Sequence, residues 1–309
     1  MRNAFADELT ALAASDERIV LLSGDIGNKL FDKFKQVDAR RFYNCGVAEA
    51  NMMGVAAGLA LSGLRPVIYT ITPFTTTRCF EQIRVDVCYH HVPVIIVGTG
   101  SGLSYAELGP THHSLEDLAI MRSLPGMNVM APGDSTELRL CLRAALKQNG
   151  PAYLRIGKKG EPALYAHAPE LTIGKANVLR KGDALTIVGS GTILSEALKA
   201  AELLQAQGIS AEVASMHTVK PLDTDYLRAA AGRSNLLVTV EEHGLIGGLG
   251  SAVAEWAAAT GCRAKLLCCG TPDEFMHEIG SQEYARKKYG LDGPQIAARI
   301  LAALKDRRP

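Results

Sequence analysis

Short apolar, β-branched runs alternate along this chain with longer stretches of helical periodicity, and small or glycine residues mark the joints. The runs at 18–23, 41–45, 66–71, 93–97, 127–130 and 152–156 read as buried strands. Helical patterns lie between and beside them, near 2–14, 48–62, 75–89, 115–122 and 134–148. Alternation of this kind implies parallel strands with helices on both faces. The pattern breaks at 157–182, where glycine, proline and charge concentrate. It resumes at 184–188, with further strands near 210–215, 236–241 and 265–268. The expected fold class is therefore α/β, two doubly wound and mostly parallel domains at 1–160 and 183–309 with a linker at 161–182.

In an open parallel sheet, ligands bind beyond the carboxyl ends of the strands, so the informative residues follow each strand. They are Gly24-Asp25-Ile26-Gly27-Asn28-Lys29, Gly46-Val47-Ala48-Glu49, Thr72-Pro73-Phe74, and Gly98-Thr99-Gly100-Ser101-Gly102 with its loop to Gly109-Pro110-Thr111-His112-His113. The helix at 48–61 is apolar nearly all round, as a buried helix is. Ala50, Gly54 and Gly58 fall four apart, which would let another backbone approach, such as a twin helix across a symmetric interface. Its single ionisable group is Glu49. A first-turn glutamate ordinarily complements the helix dipole. A carboxyl buried with no cation is instead expected to have a raised pKa and to stay protonated, and the isolation of Glu49 favours a functional reading.

Composition narrows the partners. The 309 residues are 47% hydrophobic and 21% charged, with 33 basic against 32 acidic side chains, so no charge-driven nucleic-acid or membrane partner is implied. No apolar signal core is evident, and no stretch nears the roughly 18 apolar residues of a membrane span. The seven cysteines include no C-x-x-C pair, and their odd number fits reduced thiols in a cytoplasmic protein. Gly189-Ser190-Gly191 is a lone Gly-x-Gly and reads as a tight strand–helix turn rather than a phosphate loop.

The segment Tyr43-Asn44-Cys45-Gly46-Val47-Ala48-Glu49-Ala50-Asn51-Met52-Met53-Gly54 resembles the part of transketolases and deoxyxylulose-phosphate synthases that carries their activating glutamate. The likeness continues through 58–67, 74–87, Gly109-Pro110-Thr111-His112 and Arg122-Ser123-Leu124-Pro125. Further on it includes Met216-His217-Thr218-Val219-Lys220-Pro221-Leu222 and the run from Val240 to Gly250. It implies a pyrimidine-binding thiamine-diphosphate domain followed by a transketolase C-terminal domain. The Gly-Asp-Gly…Asn motif that holds the diphosphate and Mg²⁺ in this family is missing. The resemblance is thus to the C-terminal subunit of a split transketolase. A separate N-terminal subunit would supply the diphosphate and metal site, in an α2β2 assembly with self-association of this chain, and the isolated chain would be inactive.

The resemblance also implies roles. Glu49 would hydrogen-bond a ring nitrogen of the aminopyrimidine, favouring the imino form that deprotonates the thiazolium C2. Phe74, Thr77 and Phe80 fall on the aromatic pocket around that ring, with Thr77 departing from the usual aromatic. His112 would face the reacting carbonyl and hydroxyl as proton shuttle or oxyanion donor. Asp25 would lie near the cofactor, with a turn-forming aspartate as the competing reading. Arg155 would clamp a substrate phosphate. Lys29 and Ser101 are placed beside it on the substrate side, Lys29 competing with a reading as a solvated lysine. His90, His91 and His113 have no such match and read as surface or capping histidines. No metal ligand is assigned to this chain.

Two departures bear on the substrate. The family usually carries histidine where Gly100 stands and aspartate where Leu108 stands. Losing both points towards a modified ketose, a branched or deoxy sugar phosphate, or a sulfonated sugar. Competing readings are a deoxyxylulose-phosphate-synthase-like chain, a 2-oxoacid dehydrogenase E1 beta subunit, and a non-catalytic regulatory paralogue.

Overall fold

The computed structural model describes residues 1–27 and 29–306; Asn28 and 307–309 lie outside them. The first half runs α1 (Arg2–Ser15), β1 (Ile19–Ser23), α2 (Asp32–Asp38), β2 (Phe42–Asn44), α3 (Glu49–Leu61), β3 (Arg65–Ile71), α4 (Thr72–Thr75), α5 (Phe80–Gln82), β4 (Ile95–Thr99), α6 (Asp117–Ser123), β5 (Asn128–Met130), α7 (Ser135–Leu146) and β6 (Ala152–Ile156). The second runs β7 (Asn177–Arg180), β8 (Leu185–Ser190), α8 (Leu194–Gln205), β9 (Ala211–Ser215), β10 (Thr218–Lys220), α9 (Thr224–Arg233), β11 (Leu236–Gly244), α10 (Leu249–Thr260), β12 (Lys265–Thr271), α11 (Gln282–Lys288) and α12 (Gly293–Lys305).

These elements form two sheets, ordered β10-β5-β6-β4-β3-β1-β2 and β12-β11-β8-β9-β7. Every neighbouring pair is parallel except β10 with β5 and β7 with β9. The α/β class expected from the alternating pattern holds. Strand residues alternate between two cores. Leu21, Val67, Val97 and Leu154 pack with Phe5, Leu9, Leu138 and Leu142 on one face. Leu22, Ile68, Ile96 and Tyr153 pack with Met52, Met53 and Ile83 on the other. In the second sheet, Ile187 joins Leu194 and Ile296, and Val188 joins Leu249 and Trp256.

Four features differ from the expectation. β7 lies inside the stretch read as a linker and forms the edge of the second sheet. β10 crosses to the first sheet, antiparallel to β5, and so ties the later part of the chain to the earlier one. β2 is not a buried strand: Tyr43 and Asn44 are exposed on a sheet edge. The single helix expected at 75–89 is instead α4, a 3-10 turn at Thr77–Cys79, α5 and a π-helical turn at Ile83–Tyr89. The cause is local. The hydroxyls of Thr75 and Thr76 donate to the Thr72 carbonyl and that of Thr77 to the Pro73 carbonyl, at 3.0, 2.8 and 2.7 Å. Such back-bonding bends helices, and π-turns frequently accompany functional sites. Among the described residues no helix is long and apolar enough to cross a membrane.

Candidate active site

The parallel strands β1 to β4 end on one edge of the first sheet, and Glu49 starts α3 there. Its side chain is only 4% exposed, but it has a cation. Arg78 Nη1 donates to Glu49 Oε2 at 2.9 Å. The expectation of a buried carboxyl without a cation is therefore corrected. The α3 helix is also not buried all round: Asn51, Val55, Gly58 and Leu61 are exposed in the chain.

The same guanidinium lies 4.0 Å from the Phe74 ring centroid, a cation–π contact. Phe74 meets His112 edge-on at 5.4 Å, and His112 meets Tyr105 at 6.1 Å. Lys158 stands 4.3 Å over the Tyr105 ring and is paired with Glu107. One continuous cluster thus joins Glu49, Arg78, Phe74, His112 and Tyr105. His112 is half-buried, with Nδ1 2.9 Å from the Thr111 hydroxyl. Phe80 is half-buried against the core beneath α3, whereas Thr77 is exposed.

Asp25 is exposed and accepts a 3.2 Å hydrogen bond from Asn44 Nδ2, while Asn44 Oδ1 accepts from the Gly46 N–H at 2.9 Å. These bonds lash the tips of β1 and β2 together. Lys29 lines a cavity of about 630 Å³ with Arg2, Gly27 and Lys33. Lys33 is paired with Asp7 at 2.9 Å. Arg2 Nε is buried with no hydrogen-bond partner among the described residues. Asp7 and Asp32 also line the cavity. A Cβ on Gly27 would come 3.4 Å from the Tyr69 ring, which stacks on Phe5.

Two expected substrate residues are bonded within the protein. Arg155 is 3% exposed, with Nε 2.7 Å from Asp117 Oδ2 and Nη2 bonded to the Ser114 and Glu242 carbonyls at 3.0 and 2.9 Å. Burial works against the charge on Asp117, yet the Arg155 guanidinium holds that carboxyl below its ordinary range. This arrangement fastens α6 and β11 to β6 and does not present a phosphate clamp. Ser101 is buried, its hydroxyl 3.0 Å from the Ile156 carbonyl. His113, expected as a surface or capping histidine, is buried, and burial pushes its pKa down; His90 and His91 are exposed.

The paired acids of the Val240–Gly250 run serve the scaffold. Glu241 accepts the N–H groups of Leu249 and Gly250, both at 2.7 Å, and so caps α10. Glu242 accepts the Leu103 N–H at 2.6 Å and also bonds Gln282 and Arg286. It pins the loop that carries Tyr105 and His112 to α11.

Sequence reasoning passed over Arg78, Arg2 and Tyr105. Arg78 had a signal, since it falls four residues after Phe74 in a segment read as helical. Arg2 and Tyr105 had none, because contacts across the fold place them.

Two family descriptions match the chain: "Transketolase, pyrimidine binding domain" over residues 1–161 and "Transketolase, C-terminal domain" over 174–296. A putative transketolase C-terminal section of Methanocaldococcus jannaschii is 39% identical over 308 residues, covering 99% of this chain and 96% of that one. The 6-deoxy-6-sulfo-D-fructose transketolase subunit SqwH of a Clostridium species (strain MSTE9) is also 39% identical, over 96% of this chain and 92% of its own length. Among solved structures, a split-gene transketolase described as an inactive beta4 tetramer superposes with a TM-score of 0.90 at 35% identity, covering 99% and 98% of the two chains.

Proposed function

Because the chain belongs to the transketolase family, we propose that it is the C-terminal subunit of a split thiamine-diphosphate-dependent transketolase. A separate N-terminal subunit supplies the diphosphate and Mg²⁺ site, and the assembled enzyme transfers a two-carbon ketol unit between sugars. The single observation that carries this reading is the cluster of Glu49, Arg78, Phe74 and His112 at the carboxyl edge of the first sheet.

The donor set fits the cofactor's aminopyrimidine end. A carboxylate suits a ring nitrogen, and aromatic faces at Phe74 and Phe80 suit a flat heterocycle. When bound, thiamine diphosphate supplies the carbanion chemistry of ketol transfer. Glu49 orients the ring and holds a proton at its nitrogen. Arg78, 43% exposed, holds Glu49 Oε2 from the solvent side, where the ring would have to approach. His112 donates towards the substrate oxygen, its ring fixed between Phe74 and Tyr105. Arg2, Lys29 and Lys33, against Asp7 and Asp32, leave the cavity at the α1–α2 side with a surplus positive charge that would suit an anionic sugar terminus, phosphate or sulfonate. Asp25 and Thr77 stand at the rim.

The assembly is two copies of each subunit, in the cytoplasm. The apolar strip of Val47, Val55 and Leu61 at 78%, 44% and 64% exposure, beside the open Gly58, supports association with a second copy through α3. The test is to co-purify this chain with its N-terminal subunit, add thiamine diphosphate and Mg²⁺, and assay ketol transfer. The complex is expected to be active and either subunit alone inactive. Unchanged turnover in Glu49→Ala would overturn the assignment of the activating acid. Tight diphosphate binding by this chain alone would overturn the split site.

A further inference from the structure

We infer that Glu242, on β11 of the second sheet, is a positioning residue for His112, acting through the neck of the loop that carries that histidine. The inference rests on the ketol-transfer reading above.

The loop leaves β4 and returns to α6 through a narrow neck. The Ser114 N–H donates to the Gly102 carbonyl at 3.0 Å, so residues 103–113 make a closed excursion. Glu242 meets this neck from the other sheet. Its Oε1 accepts the Leu103 N–H at 2.6 Å. Arg155 joins the Ser114 and Glu242 carbonyls at 3.0 and 2.9 Å. The approach leaves no room for a side chain at 102. A Cβ on Gly102, whose φ is +63°, would lie 2.5 Å from Glu242 Oε1 and 2.9 Å from the Glu242 carbonyl oxygen.

The carboxylate is itself held on all sides. It is 1% exposed, and Arg286 Nε donates to its Oε2. Arg286 Nη2 donates in turn to the Thr192 hydroxyl at 3.0 Å. Gln282 Nε2 donates to Glu242 Oε1 at 2.8 Å and to the hydroxyl of Ser104, a loop residue, at 3.3 Å. Leu103 and Ala106 of the loop are buried in the core of the second sheet with Ile193, Met276 and Ala285. A buried charge whose bonds are satisfied in this way rigidifies what it touches.

The far end of the loop has no such support. Glu107, Leu108, Pro110 and Thr111 are exposed, and the His112 N–H is bonded only to the nearby Gly109 carbonyl at 3.0 Å. The direction of the His112 ring between Phe74 and Tyr105 is therefore set where the loop is anchored, at its neck. A displacement of about 1 Å in a group that faces reacting atoms is worth about 100-fold in rate. Glu242 touches neither cofactor nor substrate, while Glu49 and Phe74 stand on α3 and α4, apart from this network.

The experiment is a double-mutant cycle in the reconstituted two-subunit enzyme with thiamine diphosphate and Mg²⁺. Glu242→Gln keeps the shape of the side chain but removes the charge that fixes Arg286. It is expected to lower kcat about tenfold or more. Affinity for thiamine diphosphate should stay within about twofold of wild type. In a His112→Ala background the same substitution should change kcat by less than about twofold, because the two residues act as one unit. Equal losses in the two backgrounds overturn the proposal, and so does a loss of cofactor affinity as large as the loss of kcat. Thermal unfolding of each variant chain checks that it is folded. Should Glu242→Gln fail to fold, Gln282→Ala removes a single neutral donor from the same network and is read in the same cycle. His112→Ala with wild-type turnover would overturn the role of His112 in the functional reading. A normal loss in His112→Ala with additive losses at Glu242 overturns the positioning role alone, which separates the two failures.

Discussion

Arg78 donates to Glu49 across 2.9 Å, and the same guanidinium lies against the Phe74 ring. The acid that the sequence singled out is therefore not solitary. A partly exposed cation stands where a flat heterocycle would have to approach it.

For Glu49 the expected outcome of Glu49→Gln in the reconstituted enzyme is a fall in kcat of about 100-fold or more, the usual worth of a positioned proton-transfer group. Cofactor affinity should change far less, since the amide keeps a hydrogen-bonding oxygen. Single-turnover ketol transfer together with a cofactor titration separates the two. Equal turnover in the variant would remove Glu49 from the chemistry.

Arg78→Ala tests the ion pair in the isolated chain. Arg78 is 43% exposed while Glu49 is 4% exposed. Solvent screening at the arginine end keeps the loss to about 1 kcal/mol in urea unfolding. A loss as large as that of a fully buried pair would mean that Arg78 is a structural strut rather than a displaceable partner.

Arg155 and Asp117 make the opposite case. Both are buried, at 3% and 1% exposure, and Tyr153 also bonds the same carboxylate at 2.6 Å. Removing one partner leaves an unpaired buried charge, so Arg155→Ala is expected to cost about 3–5 kcal/mol. Thermal unfolding checks this. A variant of full stability with a raised KM for phosphorylated donors would restore the phosphate-clamp role.

The outline of the fold was legible because β-branched runs and apolar helices recur at regular spacing. β7 escaped notice because Val178 and Leu179 are its only apolar residues, set in a tract of glycine and charge. β10 escaped because it is three residues long and gains its place only by pairing with β5. The break in 72–89 reflects threonine hydroxyls competing for helix carbonyls, a local effect that apolar periodicity does not report. That Glu49, Phe74 and His112 would stand at the carboxyl ends of the strands could be read from their positions after them. The Arg155 pairing could not be read, since Asp117 lies 38 residues away and nothing in either segment announces the contact.

His217 gives a pH dependence with a definite sign. It is fully buried, its Nε2 has no hydrogen-bond partner among the described residues, and burial lowers its pKa from 6.5 to about 4. The unfolded chain therefore binds a proton that the folded chain refuses between these values. Stability from this group is fully present above about pH 6.5 and is lost as pH falls towards 4, by ~3 kcal/mol at the limit. Urea unfolding between pH 7 and 4.5 should show this slope, and His217→Gln should flatten it. An identical slope in the variant would assign the effect to other groups.

Arg2 and Lys29 are expected to act on the anionic end of the sugar. They line one cavity, and its Lys33 is already paired with Asp7. A charge-assisted hydrogen bond is worth about 1.5–3 kcal/mol, so Arg2→Ala should raise KM for a phosphorylated or sulfonated donor by about 10- to 100-fold. Lys29, being exposed, should contribute less and lose its effect first as salt rises. The decisive comparison is an uncharged ketose, whose kcat/KM should hardly change in either variant. If charged and uncharged donors suffer equally, the cavity does not read the anion. The anionic group would then have to be held by the other subunit.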